Sequence, residues 1–217
     1  MADMRGVSQT ATLAPTSNDG RPAVALDRLG GFFDAGMRGV AARAAAAGRL
    51  ICAGDAAVGD LVTGQTSFVA TTPTFALNVP TGSAAVPIEV ILQQAGSVAG
   101  GAISVFFEIS SAVGIYASGG TAEKLQSVYA GSSFVTSSAV YSNPTTTAGY
   151  GMQIAMWLRG FDVSSAEGAP SEIVWRPEWP LFLVGPVALK IYTWAGTTGP
   201  SWSWSIKYAD IPPSMLT

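Results

Sequence analysis

The sequence contains no histidine and only one cysteine, and these two scarcities exclude several common kinds of active site. Without histidine the chain cannot form a Ser-His-Asp or Cys-His centre, lacks the most frequent zinc ligand, and has no side chain that ordinarily titrates near pH 7. The single cysteine, Cys52, cannot form an intrachain disulfide, and we expect it to be a buried apolar thiol. We therefore expect a structural protein and not an enzyme, with no cofactor and no bound metal.

Charge is scarce as well. Charged residues make up 12 % of the 217 positions, against about 25 % in an ordinary soluble protein. Most of the surface must therefore consist of Ser, Thr, Gly, Ala and Gln. Eleven basic and 14 acidic residues give a net charge of −3, which lacks the positive field that dominates nucleic-acid affinity. The glycine-rich phosphate-binding motifs are absent too, so we expect no direct contact with nucleic acid.

Long hydrophobic runs of the kind that cross a membrane are also missing. Residues 1–6 lack the apolar centre of a signal peptide. The uncharged stretch 90–107 has about the length of a membrane span, but glycines interrupt it at 96–101 and its apolar residues alternate as they do in strands. We expect no membrane association.

Residues 1–48 differ in composition from the rest of the chain. The first thirty are rich in Pro, Gly, Thr and Asp and hold few large apolar side chains, which predicts an extended arm without a core of its own. Apolar residues then recur at helical spacing, and Gly48 is a suitable C-terminal stop. The apolar positions of this helix are Phe33, Met37, Val40 and Ala44. We predict an N-terminal arm and one short helix over 1–48.

Basic residues are concentrated in the same region. Six of the eleven lie in the first fifty positions, which carry a net charge of +2, whereas the remainder carries −5. This asymmetry favours docking of the arm and helix on an acidic neighbour, with an ordinary solvated segment as the alternative.

After residue 48 the chain follows the two-residue period of β-strands, separated by Gly, Thr, Ser and Pro clusters. The predicted strands are 65–71, 74–79, 86–94, 102–110, 150–159, 187–194 and 202–210, with weaker ones at 113–117, 128–135, 172–175 and 181–184. The predicted apolar faces are Ile88, Val90 and Leu92; Ile103, Val105, Phe107 and Ile109; Met152, Ile154, Met156 and Leu158; and Trp202, Trp204, Ile206 and Tyr208. This spacing predicts one all-β domain over 49–217, a β-sandwich of jelly-roll type.

Two carboxylates and two indoles lie close together in the segment 172–180 and form the main candidate site. These residues are Glu172, Trp175, Glu178 and Trp179. Acids flanked by tryptophans suit contact with a carbohydrate, because indole rings stack on sugars and an acid can protonate a leaving oxygen. The alternative is a proline-bracketed connection that closes one end of the sandwich. The six tryptophans all fall in the last 61 residues, where burial in the core or at a subunit interface is the expected role.

Two aspartates, Asp55 and Asp60, form a second acidic candidate. Their carboxylates could contribute to a calcium site, but the regular ligand spacing of an EF-hand loop is missing. We expect these residues to cap turns.

Three segments resemble virion proteins of tailed bacteriophages. They are Gly48-Arg49-Leu50-Ile51, the Thr-rich stretch 71–83 that ends in Ala-Leu-Asn-Val-Pro-Thr-Gly-Ser, and the apolar strand 88–92 that follows. The resemblance implies a head decoration or cement protein, or another head or tail accessory subunit, commonly a trimer. Its partners would be copies of itself and the major capsid protein or other virion subunits, and it would be made in the host cytoplasm. No catalytic motif is carried over.

The physical properties of the chain agree with such a role. A surface of small, uncharged side chains loses little desolvation energy and little rotamer entropy when buried between subunits. An arm without its own core suits attachment to a neighbour through backbone contacts. We predict a non-enzymatic virion structural protein, most simply a capsid decoration subunit. The alternatives are a principal jelly-roll capsid protein of a small icosahedral virus and a carbohydrate- or receptor-binding module that uses Trp175 and Trp179.

Overall fold

The computed structural model describes residues 7–8, 25–26, 37–55, 59–95, 103–149, 151–159 and 172–212. In this part of the chain the structure is nearly all β, with one helix. The elements in chain order are β1 (Val7–Ser8), β2 (Ala25–Leu26), α1 (Met37–Ala46), β3 (Leu50–Gly54), β4 (Val62–Thr63), β5 (Phe75–Val79), β6 (Ala84–Ala95), β7 (Ile103–Ser111), β8 (Tyr116–Ser118), β9 (Thr121–Ala122), β10 (Leu125–Ser127), β11 (Ala139–Ser142), β12 (Thr145–Thr146), β13 (Met152–Arg159), β14 (Glu172–Trp175), β15 (Leu183–Val184), β16 (Val187–Ala195) and β17 (Ser201–Ile211).

Two antiparallel sheets form the body. The larger has seven strands, in the order β10-β3-β17-β6-β14, with β15 paired to β6 and β4 paired to β17. The smaller has six strands, in the order β13-β7-β16-β5-β11-β9. Strands β8 and β12 pair with each other, and β1 pairs with β2 in parallel. The all-β sandwich prediction is confirmed.

Eight strands define the connectivity of the sandwich. In chain order they are β3, β5, β6, β7, β13, β14, β16 and β17, and the first pairs with the last, the second with the seventh, the third with the sixth and the fourth with the fifth. They divide between the sheets as β3-β17-β6-β14 and β13-β7-β16-β5. This nested antiparallel pairing is the connectivity of a jelly roll.

The hydrophobic core lies between the two sheets, where alternate residues of each strand face inward. The predicted inward face Trp202, Trp204, Ile206 and Tyr208 is confirmed, since all four are buried in this core. The face formed by Ile103, Val105 and Phe107 is confirmed as well, with Ile109 packed at its margin. Aromatic rings meet across the core, with the ring centroids of Phe75 and Trp204 4.7 Å apart.

One buried polar contact crosses the end of the core. The Trp202 indole donates a hydrogen bond to Oγ1 of Thr193 over 2.9 Å, and that hydroxyl lies 2.9 Å from Oγ1 of Thr74. The polar atom of Trp202 is therefore satisfied without solvent, as burial of an indole requires.

Helix α1 closes the outer side of the larger sheet. The helix ends at Ala46, and Gly48, the predicted stop, caps it with a φ of 69°. The N–H of Gly48 donates to the Ala45 carbonyl and the N–H of Arg49 donates to the Ala44 carbonyl, which together form a Schellman cap. Ala44 is buried in a small apolar cluster with Val86 and Ala209. The rest of the predicted helix, 31–36, and most of the predicted arm lie outside the described residues.

The prediction that Ile88 shares a face with Val90 and Leu92 is wrong. The register of β6 against β17 shifts at this point, because Lys207 pairs with Glu89 and the next residue, Tyr208, pairs with Pro87. This β-bulge reverses the alternation, so that Ile88 packs on the outer cluster under α1 while Val90 and Leu92 enter the main core.

A second bulge breaks the predicted methionine face of β13. The register against β7 shifts between Gln153 and Ala155. As a result Ala155 packs against the core beside Ile154, whereas Met152 and Met156 are exposed. The prediction that these methionines face the core is wrong, and the side chain of Leu158 lies outside the described part.

Two predicted strands are loops. In 65–71 only Gln65 makes a bridge, to Trp194, and its side-chain amide turns back onto Thr72. In 128–135 hydroxyl side chains bond local backbone N–H groups, as Ser132 Oγ does with Phe134, and compete with the sheet ladder. The strand predicted at 113–117 is displaced to β8, after the left-handed residues Ala112 and Gly114.

Replacing Trp202 with alanine should destabilise the body strongly. The side chain is fully buried and its indole N–H is bonded, so we expect a loss of about 3–5 kcal/mol in the free energy of unfolding from the resulting cavity. Urea unfolding in dilute solution, followed by far-ultraviolet circular dichroism, measures this loss. Trp179→Ala is the matched control, because Trp179 is 76 % exposed, and it should change stability by less than about 0.5 kcal/mol. Equal losses in both variants would contradict the core assignment.

Candidate functional site

The four predicted site residues do not form one surface. Strand β14 alternates, so Glu172 is exposed while Trp175 is buried with its ring 4.9 Å from that of Phe107. Glu178 and Trp179 follow in the loop between β14 and β15, and both are exposed. Trp175 therefore belongs to the core and cannot stack on a sugar beside Trp179. Carbohydrate contact through Glu178 and Trp179 alone stays a prediction.

A third acid, Glu123, lies close enough to the predicted Asp55 and Asp60 for their charges to affect its pKa. Burial raises the pKa of Glu123, a hydrogen bond with Ser142 opposes this, and the negative charges of Asp60 and Asp55 add to the rise. Asp55 accepts a hydrogen bond of 2.5 Å from Ser203. In the residues that the structure describes, no group of three or more acids, cysteines or histidines has an arrangement that could hold a metal ion.

A buried ion pair lies on the outer face of the smaller sheet and was not predicted. Lys190 on β16 is opposite Glu108 on β7, and their Nζ and Oε1 atoms are 2.7 Å apart. The same Oε1 accepts hydrogen bonds from Ser110 Oγ at 2.8 Å and from Gly151 N–H at 2.7 Å. Both charged side chains are almost completely buried, so each supplies the partner that burial of the other requires.

The segment between β7 and β13 covers this ion pair. At Gly114, where φ is +70°, an added Cβ would lie 2.9 Å from Lys190 Nζ and 2.9 Å from Ser110 Oγ. The turn therefore sits directly on the charged groups and leaves no space for a substrate. Tyr192 lies beside the pair, and burial raises its pKa with a further contribution from Glu108. The arrangement fixes the covering segment to the sheet and offers no access for chemistry.

A second charged network crosses the outer face of the larger sheet. Glu89 accepts hydrogen bonds from Arg176 Nε at 2.7 Å and from Lys207 Nζ at 2.6 Å. Burial opposes the charged form of Glu89, but these two bonds and the two positive charges outweigh it and lower its pKa. Cys52, next to Lys207 in the register, is half-buried, and burial raises the pKa of its thiol. The prediction of a buried apolar thiol is wrong, because Cys52 is only partly buried and pairs in the register with the charged Lys207.

Large apolar side chains are exposed in several parts of the described chain, among them the outer face of the smaller sheet and the loop after β14. Phe68 covers the outer face of the smaller sheet, with its ring centroid 5.7 Å from Phe106, 5.0 Å from Tyr192 and 5.5 Å from Trp194, yet remains partly open to solvent. The second place is the loop after β14, which exposes Trp179 and, further on, Phe182 and Val184. A large contiguous patch of exposed apolar side chains can mark a surface of association, whereas scattered ones are ordinary.

A shallow groove of about 230 Å³ lies between Phe134, Val135, Asp210 and the segment that leads into β6. Arg49 forms one wall: its guanidinium carbon lies 4.3 Å from the ring centroid of Phe134 and its Nη1 is 3.3 Å from Asp210 Oδ1. Asp210 also accepts a hydrogen bond of 2.6 Å from Thr136. The groove thus combines one oriented cation with an apolar rim.

Comparison with known protein families, with curated proteins and with solved structures found no match in any of the three. The resemblance to phage virion proteins is therefore untested. Within the described ranges, helix α1 falls short of the length and apolar character that a membrane-crossing helix needs.

Removing one partner of the buried ion pair should cost more than removing both. Lys190→Met leaves Glu108 buried without a cation and should lower the free energy of unfolding by about 3–5 kcal/mol. The double variant Lys190→Met, Glu108→Gln should lose less than the sum of the single losses, because neither charge is then stranded. Chemical denaturation of the wild type, Lys190→Met, Glu108→Gln and the double variant measures the coupling between the two side chains. Lys124→Met, at an exposed lysine, is the control and should be neutral, whereas additive losses at the pair would contradict the interaction.

Stability should depend on pH through Glu89. Its pKa is lowered in the folded state, so its stabilisation is present above the unfolded value of about 4.3 and is lost as the pH falls through the folded value. Glu89→Gln should lower stability at pH 7 and flatten the decline below about pH 4.3. Urea unfolding at a series of pH values tests this. The exposed Glu172→Gln is the control, and parallel pH profiles for wild type and Glu89→Gln would contradict the assignment.

Proposed function

We propose that this chain is a non-enzymatic structural protein of a virion and that its jelly-roll body builds a capsid shell through contacts between copies. The observation that carries the proposal is the nested pairing of the eight main strands. Jelly rolls of this connectivity form viral capsid subunits as well as lectins and cupins. Because one fold serves several functions, the choice among them rests on the surfaces and sites of this chain.

The charged groups favour a structural role over catalysis. The chain has no histidine, and the Lys190–Glu108 pair is closed beneath its covering segment. Glu89 is held ionised by Arg176 and Lys207 on a sheet face rather than in a cavity. None of these groups is both accessible and poised to exchange a proton with a substrate.

The exterior favours association. Few side chains carry charge, and large apolar groups such as Trp179, Phe68 and Met152 are exposed. Burial of such a surface releases apolar area from water while stranding few charges. The predicted aromatic pair of Trp175 and Trp179 does not form a platform for a sugar, because Trp175 is in the core.

A decoration subunit of a tailed-phage head is the second candidate. The net charge of only +2 over the first fifty residues favours it, because a shell that encloses nucleic acid gains from a strongly basic interior. The segment 71–83 and its resemblance to phage virion proteins point the same way. In this case the major capsid protein would be the main partner and the free subunit would be a small oligomer, commonly a trimer.

Self-assembly of the purified chain tests the proposal. We expect the full chain to form closed particles under conditions of high protein concentration and moderate salt, which light scattering and electron microscopy detect. Removal of residues 1–36, which retains α1, should leave the circular dichroism spectrum of the body intact and reduce particle formation.

Two outcomes would contradict the capsid role. A chain that stays monomeric at every concentration would overturn it. A small oligomer that never closes a shell but binds to preformed heads would favour the decoration subunit instead.

A further inference from the structure

An exposed tryptophan projects from the loop between β14 and β15. Trp179 is 76 % exposed and lies between Pro177 and Pro180, whose rings restrict the backbone on both sides. A large aromatic group held in water by a stiff loop is a costly arrangement for a free subunit, and tryptophan is the residue most enriched at binding hot spots. The loop therefore presents a preorganised anchor.

The groove beside Arg49 has the size of a receptacle for one side chain. Its volume of about 230 Å³ is below the range of about 300–1,000 Å³ that small-molecule pockets occupy. It is open rather than enclosed, and Val135 on its rim is 85 % exposed. One large apolar group from another molecule would fill the groove and cover this rim.

Electrostatic complementarity identifies the kind of group. One face of the Arg49 guanidinium lies over Phe134, and the side chain is still 33 % exposed. The exposed part of the side chain can receive a second aromatic ring while Nη1 stays paired with Asp210, and indole binds cations best among the aromatic side chains. The exposed hydroxyl of Ser137, which lies 2.6 Å from that of Ser83, can accept a hydrogen bond from the indole N–H.

The loop and the groove are neighbours on the molecule. The loop leads into β15, where Val184 pairs with Ala84, and the preceding residue, Ser83, lines the groove. Trp179 does not occupy the groove of its own chain, since it is largely in solvent. A loop and a separate groove on one chain can join successive copies head to tail, and such a contact closes into a ring when the rotation allows.

We propose that Trp179 of one copy inserts into the groove formed by Arg49, Phe134, Val135 and Ser137 of the next copy. This inference rests on the proposed self-assembly and names the contact that drives it. The indole ring stacks on the open face of Arg49, and its N–H donates to Ser137.

Disulfide trapping tests the contact directly. In a Cys52→Ser background the native thiol is gone, so the only thiols are the introduced pair, Glu178→Cys beside the anchor and Val135→Cys on the rim of the groove. This pair leaves Trp179, Arg49 and Ser137 in place. Because a head-to-tail contact joins different positions of successive copies, mild oxidation should give a ladder of covalent multimers on a non-reducing gel. Each single variant should give no more than dimers. The matched control pairs Glu178→Cys with Ser118→Cys, at an exposed serine of β8, and should give no ladder.

A second measurement uses side chains that preserve the fold. Trp179→Ala should weaken the contact about 30-fold or more, as expected for a hot-spot tryptophan, and shift particle formation to higher protein concentration. Trp179→Phe should retain part of the assembly, because it keeps a ring for Arg49 and loses the N–H. Leu61→Ala, at another exposed apolar residue, should assemble as wild type does.

The outcomes separate this inference from the proposed function. Normal particles from Trp179→Ala together with no ladder from the thiol pair would overturn the inference and leave the capsid role standing. Loss of glycan binding on an array by Trp179→Ala, with assembly unchanged, would likewise overturn it in favour of carbohydrate contact. Failure of the wild-type chain to assemble, together with no ladder, would overturn both.

Discussion

The pairing of strand β17 with its neighbours is the interaction on which the rest of the structure depends. The strand pairs with β6 over its whole length, with β3 on its other side and with β4 at its start. Its inward face supplies Trp202, Trp204, Ile206 and Tyr208 to the core. Arg49, just before β3, bonds to Asp210 in β17, and the two residues are 161 positions apart in sequence. The body therefore closes only when distant parts of the chain meet, a property that slows folding and makes it cooperative.

The sequence predicts the strands and their inward faces correctly where apolar and polar residues alternate without a break. Strand β14 has the predicted bounds, and the inward faces of β7 and β17 follow from a strict two-residue period. Alternation fails at Ile88 and at Ile154, where β-bulges insert one residue. A bulge depends on the partner strand as well as on local sequence, so one strand read alone does not reveal it.

The candidate site was less predictable than the fold. A spacing of three within a strand places Glu172 and Trp175 on opposite faces, and this signal was available once β14 was predicted. The Lys190–Glu108 pair and the groove of Arg49, Phe134 and Asp210 had no comparable signal, since tertiary pairing alone brings their members together. In the residues that the structure describes, the ion pairs engage Arg49, Glu89, Glu108, Arg176, Lys190, Lys207 and Asp210.

The bulge in β6 affects where the independently folding part of the protein begins. At this end of the larger sheet Val86 and Ile88 face outward as an apolar strip, and α1 covers it through Ala44. Composition alone divides the chain at residue 48, but that division cuts through a hydrophobic contact. The folded unit therefore begins with helix α1 and not with the first strand of the sandwich. A fragment meant for transplantation into another polypeptide should include the helix.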